Sequence, residues 1–210
     1  MLITAPYMAL SLLAACIYGA YYSWRPASAL KTLLKTLSLA VVCVAAAWMN
    51  APWLLVAALA ASSIGDAALA APGNTRFLVG LCSFAVAHIL YIILFWHLIA
   101  EFDLTRLALT GGVFGLLAVS TVWWLLPYTD DLKLPVAVYV LLIVAMGVLA
   151  TQIGGWVMIG ALAFVASDIL LSLQLFRLPE RSSITLPISV ALWALYYGGQ
   201  LAIFLALTVA

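Results

Sequence analysis

The chain has 210 residues, of which 68% are hydrophobic and 7% charged, and its net charge is +1. A soluble domain carries about 25% charged residues, so this chain cannot cover itself with a water-compatible surface and belongs in a bilayer. The near-zero net charge also excludes nucleic acid as a partner.

A membrane span needs about 20 mostly apolar residues. The sequence predicts an all-α polytopic protein, one domain of eight transmembrane helices over residues 1–210. The first span, 4–24, is too long for a cleaved leader and follows no basic segment. Arg25 and Pro26 end it. The second, 32–49, carries Lys35 near its start. Asn50-Ala51-Pro52 turns the chain into the third, 53–71, where Asp66 stands in the apolar run SSIGDAALA. Pro72-Gly73-Asn74 leads to the fourth, 76–99, with His88 and Tyr91. A charged segment, 100–106, precedes the fifth span, 107–126. A second, 127–135, precedes the sixth, 135–151, which holds Tyr139. Gly154-Gly155 separates it from the seventh, 154–175, where Asp168 lies in FVASDILLSL. The boundary at 151–154 also admits one kinked helix. The eighth span, 186–209, carries Tyr196, Tyr197 and Gln200.

Lys and Arg set the orientation. Arg25, Lys31, Arg76, Lys133, Arg177 and Arg181 follow odd-numbered spans, and Arg106 alone follows an even one. Both termini are therefore expected on the non-cytoplasmic side. Trp48, Trp53, Trp96, Trp123, Trp124 and Trp156 read as an interfacial belt at the outer ends, and His97 as interfacial. Cys16, Cys43 and Cys82 have no metal or redox spacing and read as small core residues. An offset of 102 residues relates Lys31 to Lys133 and Asp66 to Asp168, a faint internal repeat of the kind transporters show.

At 1.5 Å rise per residue, Asp66 and Asp168 are expected about 8 and 10 Å from the cytoplasmic ends of their spans. The polar residues of spans 2, 3, 4, 6, 7 and 8 are then expected to line one cavity. A carboxylate inside a bilayer costs about 2.5–3.5 kcal/mol on insertion scales, so each should face protein or water and carry a function. Two carboxyl groups in one pocket resist ionising together, which supplies an acid and a base. The plain alternatives are a structural hydrogen-bond hub for each Asp, a snorkelling Lys35, a core His88 and packing tyrosines. Ser62 and Ser167 lack a GxSxG context and read as helix-packing residues. A GxGD protease motif is reduced to Ser63-Ile64-Gly65-Asp66, which argues against peptide cleavage. Residues alone leave an enzyme, a proton-coupled transporter and a lipid-binding protein open.

The ordered set SSIGDAAL, FLVGLCSFAVAHILYIILF, LPVAVYVLLIVAM, GALAFVASDILLSL and ALWALYYGGQLAIF resembles the YhhN family of membrane proteins, which includes animal lysoplasmalogenases. The matching positions are Lys35, Ser62 with Asp66, His88 with Tyr91, Ser167 with Asp168, and Tyr196 and Tyr197 with Gln200. The resemblance implies hydrolysis of the vinyl ether bond of lysoplasmalogens to a fatty aldehyde and glycerophosphoethanolamine or glycerophosphocholine. Asp66 and Asp168 are the expected catalytic pair. Lys35 is expected at the lipid phosphate. Ser62, His88, Tyr91, Tyr139, Ser167, Tyr196, Tyr197 and Gln200 are expected around substrate, water or carboxyl. Vinyl ether hydrolysis needs an acid, a base and water, so neither a metal nor another cofactor is expected. The expected partners are a lysophospholipid and the surrounding lipid, in a plasma or inner membrane if bacterial, with the site toward the cytoplasm. Nothing in the sequence sets the oligomeric state.

Overall fold

A computed structural model describes residues 5–179 and 182–209. Thr4, where the first span was expected to begin, and Arg181 lie outside them. Among the described residues the regular structure is helical, and eight α-helices follow the order of the eight expected spans. They are α1 (Ala5–Ile17), α2 (Ala29–Trp48), α3 (Trp53–Leu69), α4 (Asn74–Leu98), α5 (Leu104–Trp124), α6 (Lys133–Ile153), α7 (Gly155–Phe176) and α8 (Thr185–Thr208). A π-helical turn, Tyr18–Tyr22, prolongs α1, and two 3₁₀ turns, Leu126–Tyr128 and Asp130–Leu132, join α5 to α6. Among the described residues, six helices are long and apolar enough to cross a membrane, and α3, with 17 residues, is a shorter apolar one. It stops early because Pro72 disfavours helical geometry in the residue before it.

The chain forms two compact units, Met1–Tyr91 with Phe204–Ala210, and Ile92–Ile203. The first is built on the α2–α3 hairpin. Asn50 closes α2 at φ +54°, a left-handed position that Asn tolerates, and the Ala51 N–H reaches back to the Ala46 carbonyl at 3.0 Å. Pro52 then starts α3. Across the hairpin the Cys43 thiol donates to the Val56 carbonyl at 3.3 Å and the Ser63 hydroxyl to the Thr36 carbonyl at 3.2 Å. On the other side of α2, the Ser11 hydroxyl donates to the Ser38 carbonyl at 2.5 Å, which fixes α1. Gly65 admits the Phe84 ring of α4, since a Cβ there would lie 2.6 Å from it.

The second unit repeats the device. Gly154 alone separates α6 from α7, at φ +78° and ψ −161°, a conformation open in practice only to glycine. This resolves 151–154 as a sharp turn rather than a kinked helix. Asp103 caps α5 by accepting from the Arg106 N–H at 2.9 Å, while its own N–H donates to Gln152 Oε1 at 3.0 Å. The Arg106 guanidinium donates to the Thr151 carbonyl at 3.2 Å. The one arginine that broke the charge pattern thus satisfies an end carbonyl of α6. Where α7 meets α8 the backbones nearly touch. A Cβ on Gly160 would lie 2.6 Å from the Gly199 carbonyl oxygen, and one on Gly199 at 2.6 Å from that of Gly160. Small residues permit such an approach, and lipid-embedded helices gain by it through dispersion.

Two surface expectations change. Cys16 and Cys82 are exposed rather than core residues, and Cys43 is half-buried. Trp123 and Trp124 close α5 at the end leading to Lys133, opposite the outer end to which they were assigned. The positive-side and aromatic-belt rules assign ends independently, and tryptophan is enriched at both interfaces.

Gly160→Leu or Gly199→Val is expected to lower Tm in detergent, because overpacking costs about 1–3 kcal/mol even where side chains can yield. Gly198→Ala, which meets nothing within 4 Å, should leave Tm near the wild-type value.

Candidate functional site

In the first unit, Lys35 on α2 and Asp66 on α3 form an ion pair, Nζ to Oδ1 3.2 Å. The side chains are 12% and 1% exposed. The hairpin explains the meeting, since Lys35 lies 15 residues before Asn50 and Asp66 16 after it. The Ser38 hydroxyl donates to the Lys35 carbonyl at 2.7 Å and braces the helix at this turn. Ser62, one turn before Asp66, is fully buried. Asp66 stands three residues from the end of α3, about 4.5 Å along the axis, closer than expected because the helix ends at Leu69.

His88 and Tyr91 on α4 are also fully buried. His88 Nδ1 lies 2.7 Å from the Phe84 carbonyl oxygen. A carbonyl only accepts, so Nδ1 carries the proton and Nε2 presents a lone pair in the neutral ring. Sequence reasoning missed Tyr18. It is 5% exposed, sits on the π-helical turn, and lies within Coulombic reach of both Lys35 and Asp66.

In the second unit, the Tyr139 hydroxyl on α6 donates to Asp168 Oδ2 on α7 at 3.1 Å. The geometry parallels the first hairpin, with Tyr139 15 residues before Gly154 and Asp168 14 after it. Asp168 is 7% exposed and stands eight residues from the end of α7, about 12 Å along the axis. Along their helices the two aspartates thus lie about 4.5 and 12 Å from the ends, a wider spread than the 8 and 10 Å expected. Ser167 donates to the Phe164 carbonyl of its own helix at 2.7 Å, the local bond of a packing serine.

Asp168 and Tyr139 line a cavity of ≈ 40 Å³ whose other walls are largely apolar, among them Leu117, Ile143 and Val165. That volume exceeds the roughly 10–15 Å³ of probe-occupied space that one water needs. Thr121, Ser172 and Trp124 add polar groups to the lining, and sequence reasoning missed all three. On α8, Trp193 stacks on Tyr197 with centroids 5.8 Å apart, and Tyr196 meets Phe164 edge-on at 5.4 Å. Gln200 is fully buried. The register of the Gly160–Gly199, Phe164–Tyr196 and Gln174–Ser189 contacts sets Trp193 level with Asp168. The signal for Trp193 was available, since it stands inside the quoted segment ALWALYYGGQ.

The site residues therefore divide. Lys35, Ser62, Asp66, His88 and Tyr91 belong to the first unit, and Tyr139, Ser167, Asp168, Tyr196, Tyr197 and Gln200 to the second. Among the described residues no three His, Cys, Asp or Glu side chains converge as metal ligands.

The profile of the YhhN family matches residues 26–207. The chain belongs to the YhhN family. It is 31% identical over 208 residues to human lysoplasmalogenase TMEM86B, covering 93% of this chain and 83% of that protein. Its identity to rat lysoplasmalogenase TMEM86B is 32% over 176 residues, covering 76% of this chain and 65% of the rat protein. No solved structure matches the chain. The YhhN match takes in both ion-paired and hydrogen-bonded aspartates, whereas Tyr18 and all of α1 precede it.

Removing one partner of a buried ion pair strands the other and costs about 3–5 kcal/mol. Lys35→Met and Asp66→Asn should each lower Tm, and the double variant should recover part of the loss. Additive losses in the double variant would show that the pair does not interact.

Proposed function

We propose that this YhhN-family protein is a membrane hydrolase that cleaves the vinyl ether bond of lysoplasmalogens, with Asp66 and Asp168 as its acid–base groups. The observation that carries the reading is the Asp168 centre, a buried carboxyl held by a phenol beside a largely apolar cavity with room for water. The relatives named lysoplasmalogenases supply the substrate class.

The chemistry suits these groups. A proton is delivered to the β-carbon of the vinyl ether, and the electrons of the C=C bond form the new C–H bond. The α-carbon becomes an oxocarbenium ion. Water adds to that carbon and loses a proton to a base. The hemiacetal hydroxyl then gives its proton to a base as its oxygen forms the aldehyde C=O, the carbon–oxygen bond to glycerol breaks, and the glycerol oxygen takes up a proton. An acid, a counter-charge and a base complete the cycle, as two carboxyl groups do in glycosidases that pass through a similar cation. The partners divide the roles. Asp168, hydrogen-bonded to a neutral phenol beside an apolar-walled cavity, suits proton delivery. Asp66, held by the Lys35 ammonium, suits the charged role. Lys35 has three N–H donors and Asp66 takes one, so a lipid phosphate can share the same ammonium. Ser62, His88, Tyr91, Ser167, Tyr196, Tyr197 and Gln200 are assigned to binding and orientation. The lysine and arginine pattern supports termini on the non-cytoplasmic side, a site toward the cytoplasm and, in a bacterium, the plasma or inner membrane.

Purified protein given 1-alkenyl-lysophosphatidylethanolamine should release fatty aldehyde, and 1-acyl and 1-alkyl analogues should give none. Asp66→Asn and Asp168→Asn should each lower kcat by about 100-fold or more, and Tyr139→Phe by roughly tenfold. Substrate-dependent proton flux in liposomes without aldehyde would overturn the reading in favour of transport.

A further inference from the structure

The π-helical turn Tyr18–Tyr22 ends the first helix within an aromatic run, YGAYYSW. Here the Ser23 N–H reaches the Tyr18 carbonyl at 2.9 Å across five residues, which defines the wide turn. The turn is fastened from both sides. The Ser23 hydroxyl donates to the Gly19 carbonyl at 3.0 Å. The Lys31 ammonium on α2 donates to the Ser23 carbonyl at 3.2 Å and the Arg25 carbonyl at 2.6 Å.

This arrangement sorts three tyrosines. Tyr21 is 48% exposed, and the Arg25 guanidinium lies over its ring at 3.4 Å. Tyr22 is half-buried against Tyr21. Tyr18 alone is buried, on the turn that packs against α2, within reach of Lys35 and Asp66. A buried phenol is expected to have a polar partner, and the charges within its reach are Lys35 and Asp66.

We infer that Tyr18 is a positioning residue for the Lys35–Asp66 pair, held in place by the π-helical turn that Lys31 fastens to α2. Tyr18 then acts through the pair rather than on substrate. Its use in catalysis rests on the hydrolase reading above, but its coupling to the pair does not.

Infrared difference spectra of the full chain in nanodiscs separate the two. Asp66→Asn identifies the carboxylate band of Asp66. Tyr18→Phe should shift that band, whereas Tyr22→Phe should leave it in place. An unmoved band in folded Tyr18→Phe would overturn the inference. In the aldehyde assay, Tyr18→Phe should lower kcat roughly tenfold with KM within about twofold. 3-Fluorotyrosine at position 18 keeps ring and hydroxyl but makes the phenol more acidic. It should shift the Asp66 band and the pH profile of kcat, which a packing role would not move, and it replaces Tyr18→Phe if that variant fails to fold. A band shift in a protein that releases no aldehyde would sink the hydrolase reading and leave the positioning role standing.

Discussion

The structure depends on helical hairpins tight enough to bring a polar partner to each buried carboxyl. Asp66 and Asp168 each stand on the second helix of such a hairpin, and the partner stands on the first, at almost the same distance from the turn. The turn sets the register. Asn50 in a left-handed conformation closes one, and Gly154 with its own unusual dihedrals closes the other. A longer, looser connection would let the helices slide, and a slip of one turn, about 5.4 Å, would strand a carboxyl in apolar surroundings. Such a group costs several kcal/mol, so turn chemistry and site chemistry are one problem.

The partners differ in what they offer a carboxyl. An ammonium offers charge as well as hydrogen bonds, while a phenol offers only a donor that holds the carboxyl in place. The same hairpin plan therefore yields two unlike carboxyls, one beside an ammonium and one beside a neutral phenol. The 102-residue offset between Asp66 and Asp168 has this structural counterpart in each unit, though Lys35 and Tyr139 are not themselves at that offset.

Packing supports these centres with few specific contacts. In lipid, apolar area alone does not drive helices together, so close approach and interhelical hydrogen bonds carry more of the work. Glycine serves that end at Gly65, which admits Phe84, and at the Gly160–Gly199 crossing. Hydroxyls serve it at Ser11, which ties α1 to α2, and at Ser63, which ties α3 to α2. Arg106 ties α5 to the end of α6.

Composition alone determined that the protein lies in a membrane, and apolar run length determined eight helices to within a few residues. Both depend on local properties that each segment carries by itself. Asp66 and Asp168 were legible for the same reason, because a charge in an apolar run stands out wherever the helix goes. Tertiary structure decided what each residue meets. It gave Lys35 to Asp66 and Tyr139 to Asp168, set Cys16 and Cys82 on the outside, and buried Tyr18 on a turn that packs against α2 and precedes the family match. These outcomes turn on interhelical register and on which face of a nearly all-apolar helix is buried. With apolar residues on every face, the 3.6-residue period that normally reveals the buried side is too weak to read.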